Sequence, residues 1–528
     1  MLLLQSVIRW GSALVVVLAL PGCNDDLPTA PVVPIPATPG ELSGAWSLSD
    51  SSVITTPVEE TACRYRGVVT FTAGIDETAA DLRMVGTCIS PRGPATSTAL
   101  MEGDRVTVTG DSIAFTVISG SGTQRESCRY LGRLTGGSSL GASGSVSCLR
   151  GRTGTWQLSW GQSEPVQMGK LATIEIGLGQ TCALELSGRA FCWGANSIGN
   201  LGTGDDLPRL VPAPVAGDLR FTQIAVATYG SHACGVTVAG QAYCWGSSWS
   251  GQLGDGSGAE QGTAVMLPQP VVGGHAIKQI SAGGGHTCAI TTSGAAYCWG
   301  SNGYGQLGTG NETPSSTPVA VAGGLTFRQI AAYDLNTCGV TTDGAAYCWG
   351  EGSTGVLGNG GMTGSNVPSL VSGGLTFASV SVGLWMACGV TTLGDGYCWG
   401  EDFGTGNLGT GSAEERRTTP ALVTGGMKWK SIRAGGFVAC GVAVTNVGYC
   451  WGQGDQGALG AGSANAKNTN RPIPIAGGLA LDQVMSDYHG CALTIEGLAY
   501  CWSSGRYGQI GDGSLRFWWE PVRVAGQS

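Results

Sequence analysis

An all-β fold, with a seven-bladed β-propeller as its larger part, is predicted by three features of the sequence. Pairs of cysteines ten residues apart recur seven times, and their first members follow one another at intervals of 50 to 54 residues. The short stretches around each pair alternate apolar and polar residues, as half-buried strands do. Glycine accounts for 91 of the 528 residues, which indicates many tight turns between strands. Seven copies of a unit of this length are typical of propeller blades.

Composition and charge exclude several function classes. The net charge is −9 and the 27 Lys and Arg residues form no basic run. We therefore expect no nucleic-acid partner, because binding to a phosphate backbone needs clustered positive charge. The 19 cysteines at regular spacings favour disulfides in an oxidising compartment. Zinc sites favour closer cysteines with histidines nearby, and the chain has only four His, so we expect no metal and no cofactor.

The first 22 residues have the features of a secretory signal peptide. The apolar stretch from Gly11 to Leu20 is too short to span a bilayer and has the length of a signal-peptide core. The following Leu20-Pro21-Gly22-Cys23 resembles a bacterial lipobox, which implies cleavage before Cys23 and a diacylglycerol on its thiol. Cys23 is also the one cysteine left after the others are paired. Because Pro21 departs from the pattern, ordinary signal-peptidase cleavage stays open, and Cys23 would then be a stray thiol in a discarded leader.

Residues 23–40 contain five prolines and are predicted to be a spacer. Proline at this density favours polyproline II, which would hold the folded part about 50 Å from a membrane surface. We therefore expect a bacterial lipoprotein that is exported and bound to the membrane of the cell envelope through its lipid anchor only. The expected location is the outer membrane or cell surface, or a site facing the periplasm; the sequence does not distinguish the inner from the outer membrane.

Residues 41–162 predict a small antiparallel β barrel or sandwich. Segments such as GVVTFTA and TWQLSW alternate like strands, and no helical period is present. The segment looks internally doubled, which pairs Cys63 with Cys88 and Cys128 with Cys148, although four cysteines allow three connectivities. The sequence gives no indication of this domain's role.

Residues 163–528 contain the seven repeats, each built on a hairpin that a disulfide crosses. Two alternating segments are joined by a three-residue loop with Gly in the left-handed position, which Asn446 takes in the sixth repeat. This loop places the two cysteines of a repeat opposite each other, within disulfide range. The predicted pairs are Cys182 and Cys192, Cys234 and Cys244, Cys288 and Cys298, Cys338 and Cys348, Cys388 and Cys398, Cys440 and Cys450, and Cys491 and Cys501.

Further segments complete a blade of four strands. Stretches of the FRQIAA type supply an inner strand and those of the PVAVAGG type an outer one. A tryptophan follows each second cysteine. Its recurrence in every repeat favours packing between blades over stacking on sugars, which was the functional alternative. Two segments near residues 166 and 522 both look like the outer strand, so either could complete the last blade.

The repeat resembles a known family. Residues 283–310 carry the pattern G-x-x-H-x-C-x-I-T-x-x-G-x-x-Y-C-W-G-x-N-x-x-G-Q-L-G-x-G, which resembles the repeat of the regulator of chromosome condensation family with two cysteines added. The resemblance covers about residues 165–526. It implies a seven-bladed propeller, usually closed by strands from both termini.

No catalytic constellation is visible, and we expect the chain not to be an enzyme. His232, His286 and His489 stand two residues before the first cysteine of separate repeats. The resemblance implies that this is the structural histidine of the repeat, hydrogen-bonded to backbone, rather than a metal ligand or a catalytic base.

One set of loops varies between repeats and is rich in aromatic residues. These loops precede the second strand or follow the third, so they should emerge on the same face of the propeller. Large exposed aromatic residues dominate interface energetics, which predicts a binding face. The alternative is that several of them tuck into the blade edges. The candidate residues are Tyr229, Trp249, Tyr304, Tyr333, Trp385, Phe403, Phe437, Tyr488 and Tyr507.

These features predict a monomeric, non-catalytic binding scaffold on the cell envelope that grips a protein with its loops. Relatives of the repeat in bacteria that bind secreted enzymes are the nearer analogy, and the eukaryotic roles of the family do not carry over to an exported acidic chain. A surface carbohydrate-binding protein is the alternative, with the aromatic residues as stacking platforms. A propeller hydrolase or lyase is a third possibility, but it would need acid and base groups that converge. The partner itself, a protein or a glycan, is not predicted.

Overall fold

The fold was analysed in a computed structural model, which describes residues 166–527 except 229–231, 258–263, 413–415, 455 and 463–466. Of the residues before 166, only the backbone of ten strands is described. The chain forms two compact units, Met1–Glu164 with Ser514–Arg516 and Pro165–Gly513 with Phe517–Ser528. None of the described residues forms a helix that is long and apolar enough to cross a membrane.

The ten strands of the first unit form one sheet. Its register places Cys63 opposite Cys88, and Cys128 opposite Cys148. The side chains of this unit lie outside the described residues, and so do Cys23 and the proline-rich spacer, so the barrel or sandwich, the lipid site and these two disulfides stay predictions. The strands are Leu14–Leu20, Gly44–Val53, Ala62–Ala73, Thr78–Ser90, Gly93–Glu102, Thr107–Thr109, Ser112–Ser119, Glu126–Thr135, Gly141–Cys148 and Thr153–Ser159.

The second unit is a ring of seven antiparallel sheets of four strands each, which confirms the predicted seven-bladed propeller. We number the blades 1 to 7 in chain order and the strands of each blade first to fourth. The first strands are Leu171–Ile176, Phe221–Val226, Ile277–Ala282, Phe327–Tyr333, Phe377–Val382, Trp429–Ala434 and Leu481–Ser486. The second strands are Gln180–Glu185, His232–Thr237, His286–Thr291, Asn336–Thr341, Met386–Thr391, Val438–Ala443 and His489–Thr494.

The third and fourth strands complete each sheet toward the outside. The third strands are Ala190–Gly194, Ala242–Ser247, Ala296–Gly300, Ala346–Gly350, Gly396–Glu401, Gly448–Gly452 and Ala499–Ser503. The fourth strands are Arg209–Pro214, Ala264–Pro270, Ser315–Ala320, Ser365–Leu370, Arg416–Leu422, Thr469–Pro474 and Trp518–Arg523. First strands of consecutive blades contact each other, and those of blades 1 and 7 do so as well, so the first strands surround the axis of a closed ring.

The hairpin between the second and third strands has the geometry that the repeat predicts. In blade 3, Cys288 pairs directly with Cys298, and a disulfide joins them at a Cα–Cα distance of 4.1 Å. The other six blades have the equivalent bond. The turn glycine has a positive φ, for example 86° at Gly294, and Asn446 has a φ of 65°. Glycine and asparagine tolerate this conformation best, which is why they occupy the turn.

The core of the propeller lies between blades. One cluster joins Leu184 and Cys192 of blade 1 to Phe221 and Trp245 of blade 2. The tryptophan after each second cysteine is fully buried, and its indole nitrogen donates a hydrogen bond of 2.8 to 3.0 Å to a carbonyl of the preceding blade. This confirms the packing interpretation. The tryptophans are Trp193, Trp245, Trp299, Trp349, Trp399, Trp451 and Trp502.

The ring closes without a strand shared between the two ends of the chain. Blade 7 takes all four strands from residues 481–523, and the segment near 166 contributes only a single bridge, from Met168 to Gln527. The closure by both termini that the family resemblance implies is therefore not how this chain closes. Because the repeat begins with a first strand and ends with a fourth, each blade is one continuous stretch of chain. The two ends of the propeller segment therefore meet between blades 7 and 1.

Blades 7 and 1 meet through the same contacts that join the other blades. In each blade, the carbonyl of the turn residue accepts a hydrogen bond of 2.7 to 3.0 Å from the first residue of the next blade. At the seam between the chain ends, Leu171 donates to Gly497 in this way. The indole of Trp193 in blade 1 likewise donates to the carbonyl of Gln509 in blade 7. The seam thus repeats the geometry of the six junctions within the chain.

Candidate functional site: the aromatic rim of the loop face

The propeller has two faces that the hairpin direction defines. The loop face carries the loops between the first and second strands and between the third and fourth strands. The tip face carries the turns between the second and third strands and the connections from one blade to the next. Ring contacts show that both kinds of loop share the loop face. Phe403 follows the third strand of blade 5, and its ring centroid lies 5.8 Å from that of Trp385 and 6.1 Å from that of Phe437, which both precede second strands.

Five of the candidate aromatic residues are exposed, and we call them the aromatic rim. The exposed fractions are 64% for Trp249, 55% for Tyr304, 52% for Phe403, 47% for Tyr507 and 39% for Tyr488. Exposure of this size on five rings of one face is unusual for structural residues, because burial of a large aromatic side chain is worth the most free energy.

Three further candidates are less exposed than the residues of the aromatic rim. Trp385 and Phe437 are partly buried and support Phe403 from both sides. Tyr333 is only 8% exposed, so its predicted place on the binding surface is wrong. Tyr229 lies outside the described residues.

Tyr333 is buried because its side chain points toward the opposite side of the ring. Its hydroxyl donates a hydrogen bond to Oδ2 of Asp487 in blade 7, and Oδ1 of that carboxylate accepts from the amide of Gly436 at 3.2 Å. Burial raises the pKa of Asp487 to about 6, while these two hydrogen bonds act in the opposite direction. The pair fixes three loops of the loop face to one another.

A second pair crosses between the first strands nearby. Nη2 of Arg433 in blade 6 lies 3.4 Å from Oε1 of Glu175 in blade 1. Burial raises the pKa of Glu175, and the Arg433 charge partly offsets this. The pair thus joins the first strands of two blades that are not neighbours in the ring.

Phe403 is held in place by a tightly bonded loop. Its own φ is 53°, a conformation that bulky residues rarely adopt, so the surrounding contacts must compensate for the strain. The buried carboxylate of Asp402 accepts a hydrogen bond of 2.5 Å from the amide of Gly406, and burial raises the pKa of Asp402. Asn407 donates to the carbonyl of Glu401 at 3.0 Å, and Arg416 forms an ion pair with the Glu401 side chain. The ring is therefore presented in one orientation.

Buried glutamines fix other rim residues in a common way. The side-chain oxygen of Gln306 accepts a hydrogen bond of 2.9 Å from the amide of Tyr304, and that of Gln509 accepts one of 2.8 Å from the amide of Tyr507. In the loop of Trp249, Gln252 accepts from the next residue, Ser250, at 2.8 Å. The loops thus have fixed backbones while the rings themselves remain in solvent.

The three repeat histidines are buried and join blades. Each Nε2 atom lies 2.8 to 2.9 Å from a threonine hydroxyl of the following blade. His286, for example, pairs with Thr337 in this way. The threonine hydroxyl also donates to a backbone carbonyl, so the Nε2–H group must donate to the hydroxyl. At Nε2 the partner is thus a threonine hydroxyl that itself bonds to backbone, and His286 also has a backbone hydrogen bond with Asp334 that acts to raise its pKa. The remaining two pairs are His232 with Thr287 and His489 with Thr181.

Burial determines the protonation state of two of these histidines. Burial lowers the pKa of His286 to about 3, and it does the same for His489. Both rings are therefore neutral at physiological pH. In the part of the chain that the structure describes, no three His, Cys, Asp or Glu side chains come close enough to hold a metal ion.

Sequence reasoning missed the threonines, although a signal for them was present. Each blade that has a histidine is followed by a blade with threonine next to the equivalent position, at Thr287, Thr337 and Thr181. The four blades that lack the histidine are followed by blades with Ala or Gly there, at Ala233, Ala387, Ala439 and Gly490. Asp487 and the pair of Glu175 with Arg433 gave no such signal, because each occurs in a single blade.

Comparison with known proteins identifies the repeat. A model of the regulator of chromosome condensation (RCC1) repeat matches residues 187–234, 239–290, 293–334 and 343–390, and a second model of the repeat matches 277–306, 327–355 and 484–509. The ultraviolet-B receptor UVR8 of Arabidopsis thaliana is 34% identical over 185 residues. These are 32% of this chain and 41% of the receptor, so the match spans less than half of that protein.

Two solved structures show the same fold. Human WBSCR16 superimposes with a TM-score of 0.57 at 21% identity, covering 64% of this chain and 94% of that protein. Yeast RCC1 (Prp20), solved with Kap60 bound, gives a TM-score of 0.57 at 19% identity, covering 67% of this chain and 85% of that one. The matching family models describe a repeat and indicate no enzyme family. Together with the seven blades, they show that this chain contains repeats of the regulator of chromosome condensation family, which the models match within residues 187–390 and 484–509.

Proposed function

We propose that this protein is a non-catalytic binding scaffold of the bacterial cell envelope, which grips a partner protein with the aromatic rim. The observation that carries this proposal is the exposed ring of Phe403, held between Trp385 and Phe437 by edge-to-face contacts. Aromatic residues that a rigid frame presents to solvent are the residue type that most often supplies the energy of protein interfaces.

Rigidity supports a binding role for these loops. The strained backbone at Phe403 and the buried glutamine contacts at Tyr304 and Tyr507 fix the loops before any partner arrives. A surface that is ordered in advance loses less conformational entropy on binding and therefore gains affinity. The disulfides in every blade extend this order to the whole disc.

The relatives support a protein partner at the level of the fold. Yeast RCC1 (Prp20) was solved bound to the protein Kap60. We extend from it only the ability of such a propeller to bind proteins, because the identity of 19% carries no partner across.

The proposed location rests on the N-terminal residues and the disulfides. Disulfides persist in exported proteins and are rare in a reducing cytosol. Cys23 after an apolar segment would carry the lipid anchor, and residues 23–40 would act as the spacer between this anchor and the folded units. We propose that the protein acts there as a monomer.

A carbohydrate-binding role is the second candidate. Trp249 is 64% exposed, the highest value in the rim, and a ring this open could stack on a sugar face. A glycan array distinguishes the two proposals, because a scaffold that binds only proteins leaves the array blank.

The experiment that tests the scaffold is quantitative capture from envelope extract with matched variants. The wild-type protein is compared with the combined variant W249A/F403A/Y488A and with V367A, which removes an exposed aliphatic side chain from an outer strand. Proteins that the wild type and V367A retain, and that the combined variant loses, support the proposal. If the combined variant retains the same proteins, the rim is not the binding surface.

A further inference from the structure

The tip face carries a row of exposed aliphatic side chains in four neighbouring blades. The first residue of the turn between the second and third strands is 55% exposed at Val444, 56% at Ile495, 72% at Leu186 and 73% at Val238. These residues belong to blades 6, 7, 1 and 2, which follow one another around the ring. We call them the aliphatic arc. Leu393 at the turn of blade 5 extends the row and is 77% exposed.

The four residues lie in one plane, because the same backbone contact fixes each of them. The amide of Leu186 donates to the carbonyl of Lys170 at 2.9 Å, and the amide of Val238 donates to that of Arg220 at 3.2 Å. Val444 and Ile495 make the equivalent bonds at 2.9 and 3.0 Å. Equivalent positions around a closed ring are coplanar, so the arc would meet a flat surface with all its members at once.

The turn itself does not require aliphatic residues. Blades 3, 4 and 5 have Thr292, Thr342 and Thr392 at the same position, with the same backbone bond at 2.9 to 3.0 Å. Threonine is therefore sufficient for folding here. Four large aliphatic residues that leave more than half of their surface in water need an explanation outside the fold of the blade.

Charge distinguishes the tip face from the rest of the propeller. Of the residues that the structure describes from 166 onward, 16 are Lys or Arg and 18 are Asp or Glu. The turns, blade connections and first-strand starts of the tip face carry seven basic and six acidic residues. The acidic excess of the propeller therefore lies away from this face. The basic residues are Lys170, Arg189, Arg220, Lys278, Arg328, Lys428 and Lys430, and the acidic ones are Glu185, Asp218, Asp343, Asp395, Asp482 and Glu496.

We infer that the aliphatic arc docks on the surface of an anionic lipid bilayer. Aliphatic side chains at turn tips can enter the boundary between headgroups and acyl chains, and the neighbouring Lys and Arg side chains can reach the phosphates. The acidic remainder of the propeller would be repelled by the same surface, which orients the disc with its tip face toward the lipid. The loop face would then point away from the membrane.

The apolar residues of this face are aliphatic and stand among Lys and Arg side chains, a combination that suits the boundary between headgroups and acyl chains. Interfaces between proteins are enriched in aromatic residues. Among the described residues, every large aromatic side chain that is exposed belongs to the loops of the other face, namely Trp249, Tyr304, Phe403, Tyr488, Tyr507 and Phe517. The exposed large apolar residues at the turns of the tip face are Leu, Val and Ile.

Co-sedimentation with vesicles tests the inference. The full chain carries Cys23→Ser in all variants, so that no acyl chain contributes to binding. The wild-type arc is compared with L186S/V238S/V444S/I495S and with the double variant L186S/V238S. The control is T292S/T342S/T392S, which changes the same turn position in the other three blades. Vesicles of phosphatidylethanolamine with phosphatidylglycerol are compared with vesicles of phosphatidylcholine alone.

The wild type and the control should bind the anionic vesicles more strongly than the neutral ones. The affinity of the fourfold variant for the anionic vesicles should be lower than that of the wild type by about tenfold or more. The affinity of the double variant should lie between those two. Unchanged near-UV circular dichroism shows that the variants are folded, which the exposure of these side chains leads us to expect. Equal binding of the fourfold variant and the wild type overturns the inference. So does a wild type that ignores the vesicles but forms a dimer that the arc substitutions dissociate, because the arc would then contact a second copy.

Discussion

At the residue scale, the contacts that matter most join one blade to the next through buried side chains that hydrogen-bond across the blade boundary. The histidine–threonine pairs show this clearly. Each threonine hydroxyl accepts from a histidine and donates to a backbone carbonyl, so a chain of two hydrogen bonds runs across the blade boundary. A buried polar group is tolerated because it is bonded in this way, and removing one partner leaves the other unsatisfied.

The neutral histidines make stability depend on pH. The pKa values of His286 and His489 are about 3 in the folded state, below the ordinary value near 6.5 of the unfolded chain. Between these values the unfolded state binds more protons, so the free energy of unfolding should fall as pH drops from 6.5 toward 3. The limit is about 1.4 kcal/mol per pH unit for each histidine.

Denaturant unfolding at a series of pH values measures this dependence. The variant H286Q/H489Q should show a shallower fall below pH 6.5 than the wild type. H275Q is the matched control, because His275 is partly exposed and stacks its ring on Tyr297 without joining two blades. Equal slopes for the wild type and H286Q/H489Q would show that these rings are already protonated in the folded state.

Tyr333 gives a second prediction at this scale. The variant Y333F removes the hydroxyl that donates to Asp487, so the pKa of Asp487 should rise further above about 6. A hydrogen bond to a charged group contributes about 1.5–3 kcal/mol, and one to a neutral group contributes less. The loss of stability in Y333F relative to the wild type should therefore grow as pH rises through 6. The difference in unfolding free energy between pH 5 and 8 checks this, and a constant difference would contradict it.

At the element scale, the unit of the fold is the hairpin that a disulfide crosses. The loop of three residues determines which residues face each other, and this register brings Cys338 within 4.1 Å of Cys348, measured between Cα atoms. The disulfide closes a short loop of chain, so its effect on the unfolded state is modest for each blade and accumulates over seven.

Removal of one such bond tests the element. The variant C338A/C348A should lower the free energy of unfolding by about 2–3 kcal/mol, as chain entropy predicts for a loop of this length. The same variant measured in reducing buffer should differ much less from the wild type, because the wild-type bonds are then open as well. Peptide mapping of the oxidised protein should find every pair within its own blade. Pairs that link different blades would contradict the hairpin register.

Sequence periodicity was sufficient to predict these elements, and it was insufficient for the details of the site. The spacing of the cysteines and the turn glycines is local, so it predicted the hairpins, the blades and the loops that carry Trp249 and Phe403. Tyr333 lies in the same kind of loop, between the first and second strands, as the exposed Tyr488 of blade 7, but two residues nearer to the first strand. Its burial depends on Asp487, which lies 154 residues away along the chain and which the repeat pattern does not indicate. Contacts made once, across the ring, leave no periodic signal.

At the scale of the whole molecule, the ring must close between blades that are the most distant along the chain. The resemblance implied a last blade built from strands of both termini. Such a blade would have linked the two ends of the propeller through one sheet and so distinguished this junction from the other six. The structure instead uses equivalent contacts everywhere. The side-chain oxygen of Gln483 in blade 7 accepts from the amide of Ile174 in blade 1 at 3.4 Å, as that of Gln279 accepts from the amide of Ile330 at 3.0 Å within the chain. The tryptophan and turn contacts are present at all seven junctions, whereas the histidine–threonine pairs join three of them.

The two faces of the disc also differ at this scale. The loop face carries exposed aromatic rings and the tip face carries aliphatic ones, and the acidic excess lies away from the tip face. If both proposals hold, a partner and a membrane would bind opposite sides of the same rigid body. Binding at one side would then leave the other accessible, and the substitutions that abolish vesicle binding should leave capture of the partner unchanged.

The stability of the junction between blades 7 and 1 can be compared directly with that of a junction within the chain. Thr181 joins blade 1 to His489 of blade 7, and Thr337 joins blade 4 to His286 of blade 3, with the same two hydrogen bonds. The variants T181A and T337A should therefore lower the free energy of unfolding by similar amounts, about 1–3 kcal/mol each. Double-mutant cycles with H489A and H286A should give equal coupling energies, since a cycle isolates the interaction of each pair. If T337A destabilises the protein and T181A has no effect, the seam is open in solution. Equal effects mean that the contact between blades 7 and 1 stabilises the protein as much as the contact between blades 3 and 4. The propeller then behaves as a closed ring, although no covalent bond joins blade 7 to blade 1.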